Sequence, residues 1–521
     1  SDTTPTITGT VTLAAGENLT VVVNNVSYTT SNGLVINGGN WSLPITSALP
    51  IATYDVTAYI TNSSGYILND STSGELVIIT VPTQNIWYVD NNSNTGDIYT
   101  ASSVSGNDTT GTGSASAPFA TLAKAVASAS AGDIIYVDSG TYSQNSISIN
   151  KKLTIIGAGT GNTIFDNGDG AQLWANITSS DVTIKNLTLT KFFNAVGSLG
   201  QVININGSYT GINIENIVIN NCLGASATLP NVNVSGGANV TIRNSFFKCS
   251  GYNGAMGGGL LVNNSTAVIE NTIFYQNESA SSTENGGAIQ IKGASANVTV
   301  TNCTFNGCVS LKGGAIGQNA GTLTITGSCF SNNISETDDN SSGGGAIFVN
   351  GTSNTSISNC LFDTNAVTSQ AKGTSSITVG NATSADGGAI CFKSVTGTAS
   401  VTNCRFVNNG KLLQTDGQIL VNGFDDGQDI YYSGSSLNIT ISNNTFSSAN
   451  SGEVNIYEDS NGTQTMSNNG IYTQTGSTGP TVSALLTTRT GVSDGTQTGW
   501  SDTSLTGTTT INMLGSLLTP I

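Results

Sequence analysis

Apolar and polar residues alternate along most of the chain in short runs broken by Gly, Asn and Asp. Over residues 1–84 the runs TITGTVTL, NLTVVVNN, NWSLPI, YDVTAYIT and GELVIITV keep a period of two between turn residues. That pattern predicts a seven-strand antiparallel sandwich, closed by a linker at Val81-Pro82-Thr83-Gln84. One segment breaks the period. Phe119, Leu122 and Val126 fall at i, i+3 and i+7 behind Pro118, which predicts a short helix stopped at Gly132. Strands resume at DIIYVDSGTY and KKLTIIGAG.

A longer period follows. Residues 285–305 read NGGAIQIKGASANVTVTNCTF and residues 386–406 read DGGAICFKSVTGTASVTNCRF. Alignment on the Asn of that phrase gives a ladder at Asn186, Asn216, Asn244, Asn271, Asn302, Asn359, Asn403 and Asn443, with Gly327 filling one gap. Three residues on stand Leu189, Ile219, Phe247, Phe274, Phe305, Phe330, Phe362, Phe406 and Phe446. Coils stacked about 4.8 Å apart would set these residues over one another, the Asn amides bonding along the stack and the rings filling the bore. A Gly-Gly column, as at Gly286-Gly287, Gly313-Gly314, Gly344-Gly345 and Gly387-Gly388, supplies a tight bend before an inward Ile. Chain length varies mostly between the ladder Asn and the next Gly-Gly, so insertions should leave one arc of the coil.

The run from Gly39-Asn40-Trp41-Ser42-Leu43 to Tyr54-Asp55-Val56-Thr57-Ala58 resembles bacterial Ig-like domains of surface adhesins. The order of a short helix, then GDIIYVDSGTY and LTIIGAGTGNTIFD, resembles the N-terminal cap of right-handed parallel β-helix, or pectin-lyase-like, proteins. GGAI paired with FxxN, over roughly residues 240–450, resembles the repeats of polymorphic outer membrane proteins and of adhesin-like proteins of methanogenic archaea. These resemblances imply an all-β chain: an Ig-like sandwich at 1–84, a right-handed parallel β-helix with a short capping helix at 85–450, and a C-terminal β segment at 451–521. They also imply a surface protein, although the outer-membrane barrel of the first group is missing.

Composition narrows the chemistry. Only 9% of the 521 residues are charged and the net charge is -17, which repels nucleic acid and anionic membrane. No apolar run is long enough to cross a bilayer, so no membrane insertion is expected. Sequons, among them Asn18, Asn62, Asn186, Asn277 and Asn381, are candidate glycosylation sites of an exported, mature chain. Histidine is absent, which removes the commonest proton shuttle and metal ligand. Lys185, Lys191, Arg243 and Lys248 form no cluster that would bind an acidic polysaccharide. Carboxylates at Asp338-Asp339 and at Asp425-Asp426 with Asp429 read first as solvated turn residues, then as weak calcium ligands. Cys360 and Cys404 fall at equivalent positions of neighbouring coils, where a disulfide is geometrically allowed and buried thiols are the alternative.

The expectation is a non-enzymatic extracellular surface protein without cofactor: a filament or sheath subunit, or an adhesin. Its partners would be copies of itself, joined head to tail through the apolar tail TGTTTINMLGSLLTPI, or cell-surface glycans; the alternative role of that tail is to fold back and cap the last coil. The alternatives are a β-helical polysaccharide-degrading enzyme and a carbohydrate-binding module.

Overall fold

The computed structural model describes residues 2–447 except 71, 80–83, 94, 169–172, 193–200, 225–229, 252–257, 280–284, 338–342, 370–385, 416–417, 423–428 and 435, with short strands between 456 and 510. The chain divides into two compact units, Ser1–Gln84 and Asn85–Ile521.

The first unit holds a three-stranded and a four-stranded antiparallel sheet and a separate two-stranded ribbon. Alternation along Asn18–Val23 and Asn40–Pro44 turns Leu19, Val21, Val23, Trp41 and Leu43 into a shared core. Trp41 is an ordinary member of it.

The second unit is a right-handed parallel β-helix. One coil shows the pattern. Ile289–Lys292 lies on one face, and Asn297–Thr301 begins the next. The chain bends at Asn302, continues as Thr304–Asn306, bends again, and closes with Val309–Ser310 before the next Gly-Gly. Taking Asn297–Thr301 as the first face, the first and second faces merge into a 23-stranded sheet, the third is six-stranded and the fourth is 11-stranded. Neighbouring coils pair in register, Val298 to Leu323 and Phe305 to Phe330, so like residues stack.

Three columns explain why this sequence takes this path. Every ladder Asn from Asn186 to Asn443 has a positive φ, between 47° and 60°, and Gly327 takes the same conformation. Asn tolerates that left-handed region better than other side chains. The Phe rings from Phe247 to Phe446 lie 4.7 to 5.0 Å apart and nearly parallel in the bore. At the Gly-Gly bend the two glycines serve different needs: Gly286 has φ +88°, while a Cβ on Gly287 would collide with the carbonyl oxygen of Gly314 on the next coil. Ile289, Ile316, Ile347 and Ile390 then enter the core.

The helix α1 (Leu122–Ser128) packs Leu122, Ala125 and Val126 onto the first coils. It starts later than the spacing predicts. Thr121 caps it, accepting the Lys124 N–H, and Phe119 instead stacks on Trp87 at 5.8 Å. Lys151 Nζ donates to the carbonyls of Val126, Ala127 and Ala129 and so closes its C-terminal end.

Candidate functional sites

The predicted residues sort by burial. Asn18 and Asn62 are exposed. Asn186 is half-buried and its side-chain oxygen accepts the Asn216 amide at 2.9 Å. Asn277 corrects the sequon reading: it is wholly buried and donates to the Phe247 carbonyl at 3.0 Å, leaving no room for a glycan. Asn381 lies outside the described residues, as do Asp338, Asp339, Asp425, Asp426 and the apolar part of the C-terminal tail from Ile511 on. Asp429 is no solvated turn residue. It is fully buried and accepts the Asn409 amide at 2.9 Å.

Cys360 and Cys404 are buried thiols and form no disulfide. Each Sγ donates to the carbonyl two residues back, Ser358 at 3.1 Å and Thr402 at 3.3 Å. The same hydrogen bond made on stacked coils keeps the sulfurs about one coil spacing apart, far beyond a disulfide bond length.

The basic side chains are dispersed. Lys191 pairs with Asp166 at 2.7 Å, Arg243 lies 3.8 Å from Glu270, and Lys248 sits over the Tyr275 ring. Lys393 is bound to Asp386 at 2.6 Å and donates to Tyr431 Oη at 3.1 Å. Despite partial burial, those bonds hold its ammonium above the usual lysine range, so it is no proton-abstracting base.

Among the described residues of the second unit, three arrangements could bind or react. On the outer side of the first face, successive coils present Thr322 and Thr324, Asn354 and Ser356, Thr398 and Ser400 along a shallow groove of about 310 Å³. No charged residue lines it.

The third face carries two carboxylates. Glu278 stands above Val309 and Ile334 in the strand stack, and Glu336 lies two residues beyond Ile334. Burial and the nearby Glu278 carboxylate push Glu336 up to about 7, and burial also raises Glu278. Chain length varies between these third-face strands, which end at Ser279, Thr337 and Ser369, and the Gly-Gly that follows each in sequence.

The third arrangement opens the β-helix. The phrase YVD occurs at 88–90 and at 136–138, and the two strands pair Tyr88 with Tyr136 and Val89 with Val137. Asp90 and Asp138 therefore meet on adjacent coils, both fully buried, and burial, followed by the nearby Asp97 carboxylate, pushes Asp90 up to about 6. Sequence reading missed this trio although the repeated YVD was its signal. It missed Glu278 and Glu336 because two coils and an offset of two residues leave no recognisable spacing.

No family model matches the chain, and no curated protein matches it. Solved structures do resemble it. A PL6 family alginate lyase, AlyGC, has a TM-score of 0.35 and 13% identity over 65% of this chain, which spans about half (52%) of that one. The catalytic unit of a GH87 α-1,3-glucanase from Streptomyces thermodiastaticus strain HF3-3 has a TM-score of 0.34 and 14% identity over 89% of this chain and 88% of its own. Pectate lyase Pel9A has a TM-score of 0.28 and 13% identity over 72% and 79%. At such identities the likeness concerns the parallel β-helix and assigns no residue a role.

The expectation of a non-enzymatic chain is nonetheless corrected. The chains of similar fold are named as lyases and a glucanase, which runs against that expectation without assigning this chain an activity. Lack of histidine does not prevent such chemistry, because glycoside hydrolysis can run on two carboxylates alone.

Proposed function

We propose that this protein is a polysaccharide-binding β-helix that works at the cell surface. The first-face groove carries the reading. Its hydroxyl and amide side chains recur on each coil at about 4.8 Å, so an extended glycan lying along the axis meets the same donors and acceptors repeatedly. The uncharged lining and the net charge of -17 select a neutral glycan over a polyanion. The resemblance of the first unit to Ig-like adhesin modules and the exposed sequons Asn18 and Asn62 support a surface location. Head-to-tail association of copies would multiply weak sites by avidity.

Calorimetric titration with soluble neutral glucans and with alginate tests this. Binding of a neutral glucan, lost in the double variant Ser356→Lys with Ser400→Lys, is the expected result. Binding of alginate alone, or binding indifferent to those substitutions, overturns it.

A second reading rests on the third face. Two carboxylates with their proton affinities raised are suited to general acid and base work, Glu336 as the acid and Glu278 as the base. Release of reducing ends from a neutral polysaccharide, abolished in Glu336→Gln, would support cleavage. Equal release by the variant would refute it.

A further inference from the structure

Asp138 is fully provided with donors. Its Oδ1 accepts the backbone N–H groups of Ile98 at 2.8 Å and Ser139 at 2.9 Å. Its Oδ2 accepts the N–H groups of Tyr99 at 3.0 Å and Thr100 at 2.7 Å, and the Thr100 hydroxyl at 2.8 Å. A hydroxyl has one proton to give. The shorter bond takes it, so the same hydroxyl, 3.2 Å from Asp90 Oδ2, is the weaker donor there, beside the Asn91 backbone N–H.

Asp90 is fully buried, and its Oδ1 has no partner. Both side-chain oxygens of Asp97 are also shut away from solvent without a partner. The ion pairs of the described residues lie elsewhere. Three buried carboxylate oxygens without a donor, on two acids beside a third, are costly unless a positive charge joins them.

We infer that a hard divalent cation, with the chemistry of Ca²⁺, binds at the start of the β-helix between the carboxylates of Asp90 and Asp97. Oxygen is the only donor type these two residues offer, which suits calcium and not a thiophilic metal. Among the described residues no three acidic, histidine or cysteine side chains are already gathered as a metal cage. Backbone carbonyls and water therefore complete the shell. The ion ties the segment around Asp97, already held by Asp138, to the strand that ends at Val89. That strand is the first of the 23-stranded sheet and has no earlier coil to pair with.

The full chain, stripped with EDTA and dialysed, tests this with two readouts. CaCl2 should raise the melting temperature saturably, and Tb³⁺ should bind with luminescence sensitised by the nearby Tyr99 and Tyr142, displaced by Ca²⁺. Asp97→Asn should fold yet lose both effects, while Asp181→Asn, at an exposed ion pair with Lys152, should keep them. Absence of any calcium effect on the native chain overturns the inference. So does an effect that survives Asp97→Asn, which would place the ion elsewhere.

Discussion

Asn333 donates its side-chain amide to the side-chain oxygen of Asn365 across 2.8 Å, and both residues are completely buried. The relationship repeats upward: Asn365 donates to Asn409 at 2.9 Å, and Asn409 to Asp429 at 2.9 Å. The same nitrogens also donate back to the preceding coil, Asn333 to the Phe305 carbonyl and Asn365 to the Phe330 carbonyl. These are the Asn residues of FxxN, and they form a polar spine beside the Phe stack.

Asn365→Ala should therefore be strongly destabilising. It strands the Phe330 carbonyl and removes the acceptor of Asn333, each costing about 1–3 kcal/mol. Urea denaturation gives the value; a loss below about 0.5 kcal/mol, as at an ordinary surface site, would mean that water replaces the amide.

The first Asn ladder makes a different demand. Asn302 is half-buried and has φ 53°, so backbone conformation and not a buried amide selects it. Asn302→Gly should be nearly neutral, as native Gly327 at the equivalent bend indicates, while Asn302→Ala should cost about 1–2 kcal/mol. Equal losses for both variants would restore the side-chain amide as the cause.

These two columns show what the sequence discloses and what it hides. The coil period, the Phe stack and the Gly-Gly bend were legible because identical residues recur wherever coils stack in register. The reason for a recurring Asn was not legible: one column answers to φ and another to buried carbonyls, and both read as Asn. Asn277 has a valid sequon, but only its place between Phe247 and the bore reveals the burial. Asp90 meets Asp138 through strand pairing, a relation visible once the two YVD strands are set in register.

The thiols should be inert in the folded state. Burial pushes Cys303, Cys308 and Cys391 up to about 12, leaving almost no thiolate at neutral pH. A thiol-specific chromogenic reagent should leave these three unmodified in the folded protein, by peptide mapping, and label them only after denaturant is added. Rapid native labelling of Cys303 would mean that the bore opens.

Glu336 should make stability depend on pH. Its folded value of about 7 lies above the ordinary 4.5, so the folded state holds this proton more tightly than the unfolded chain. The sign follows: its contribution is fully present below the ordinary value and is lost as pH rises through the folded one. Melting temperatures followed from about pH 5 to about pH 8 should fall more steeply in the native chain than in Glu336→Gln, which cannot ionise. The variant should also be the more stable of the two at the alkaline end, because no charge is then forced beside Glu278 away from water. Parallel curves for the two proteins would show that Glu336 ionises at its ordinary pH, and would remove the support it lends to acid catalysis on the third face.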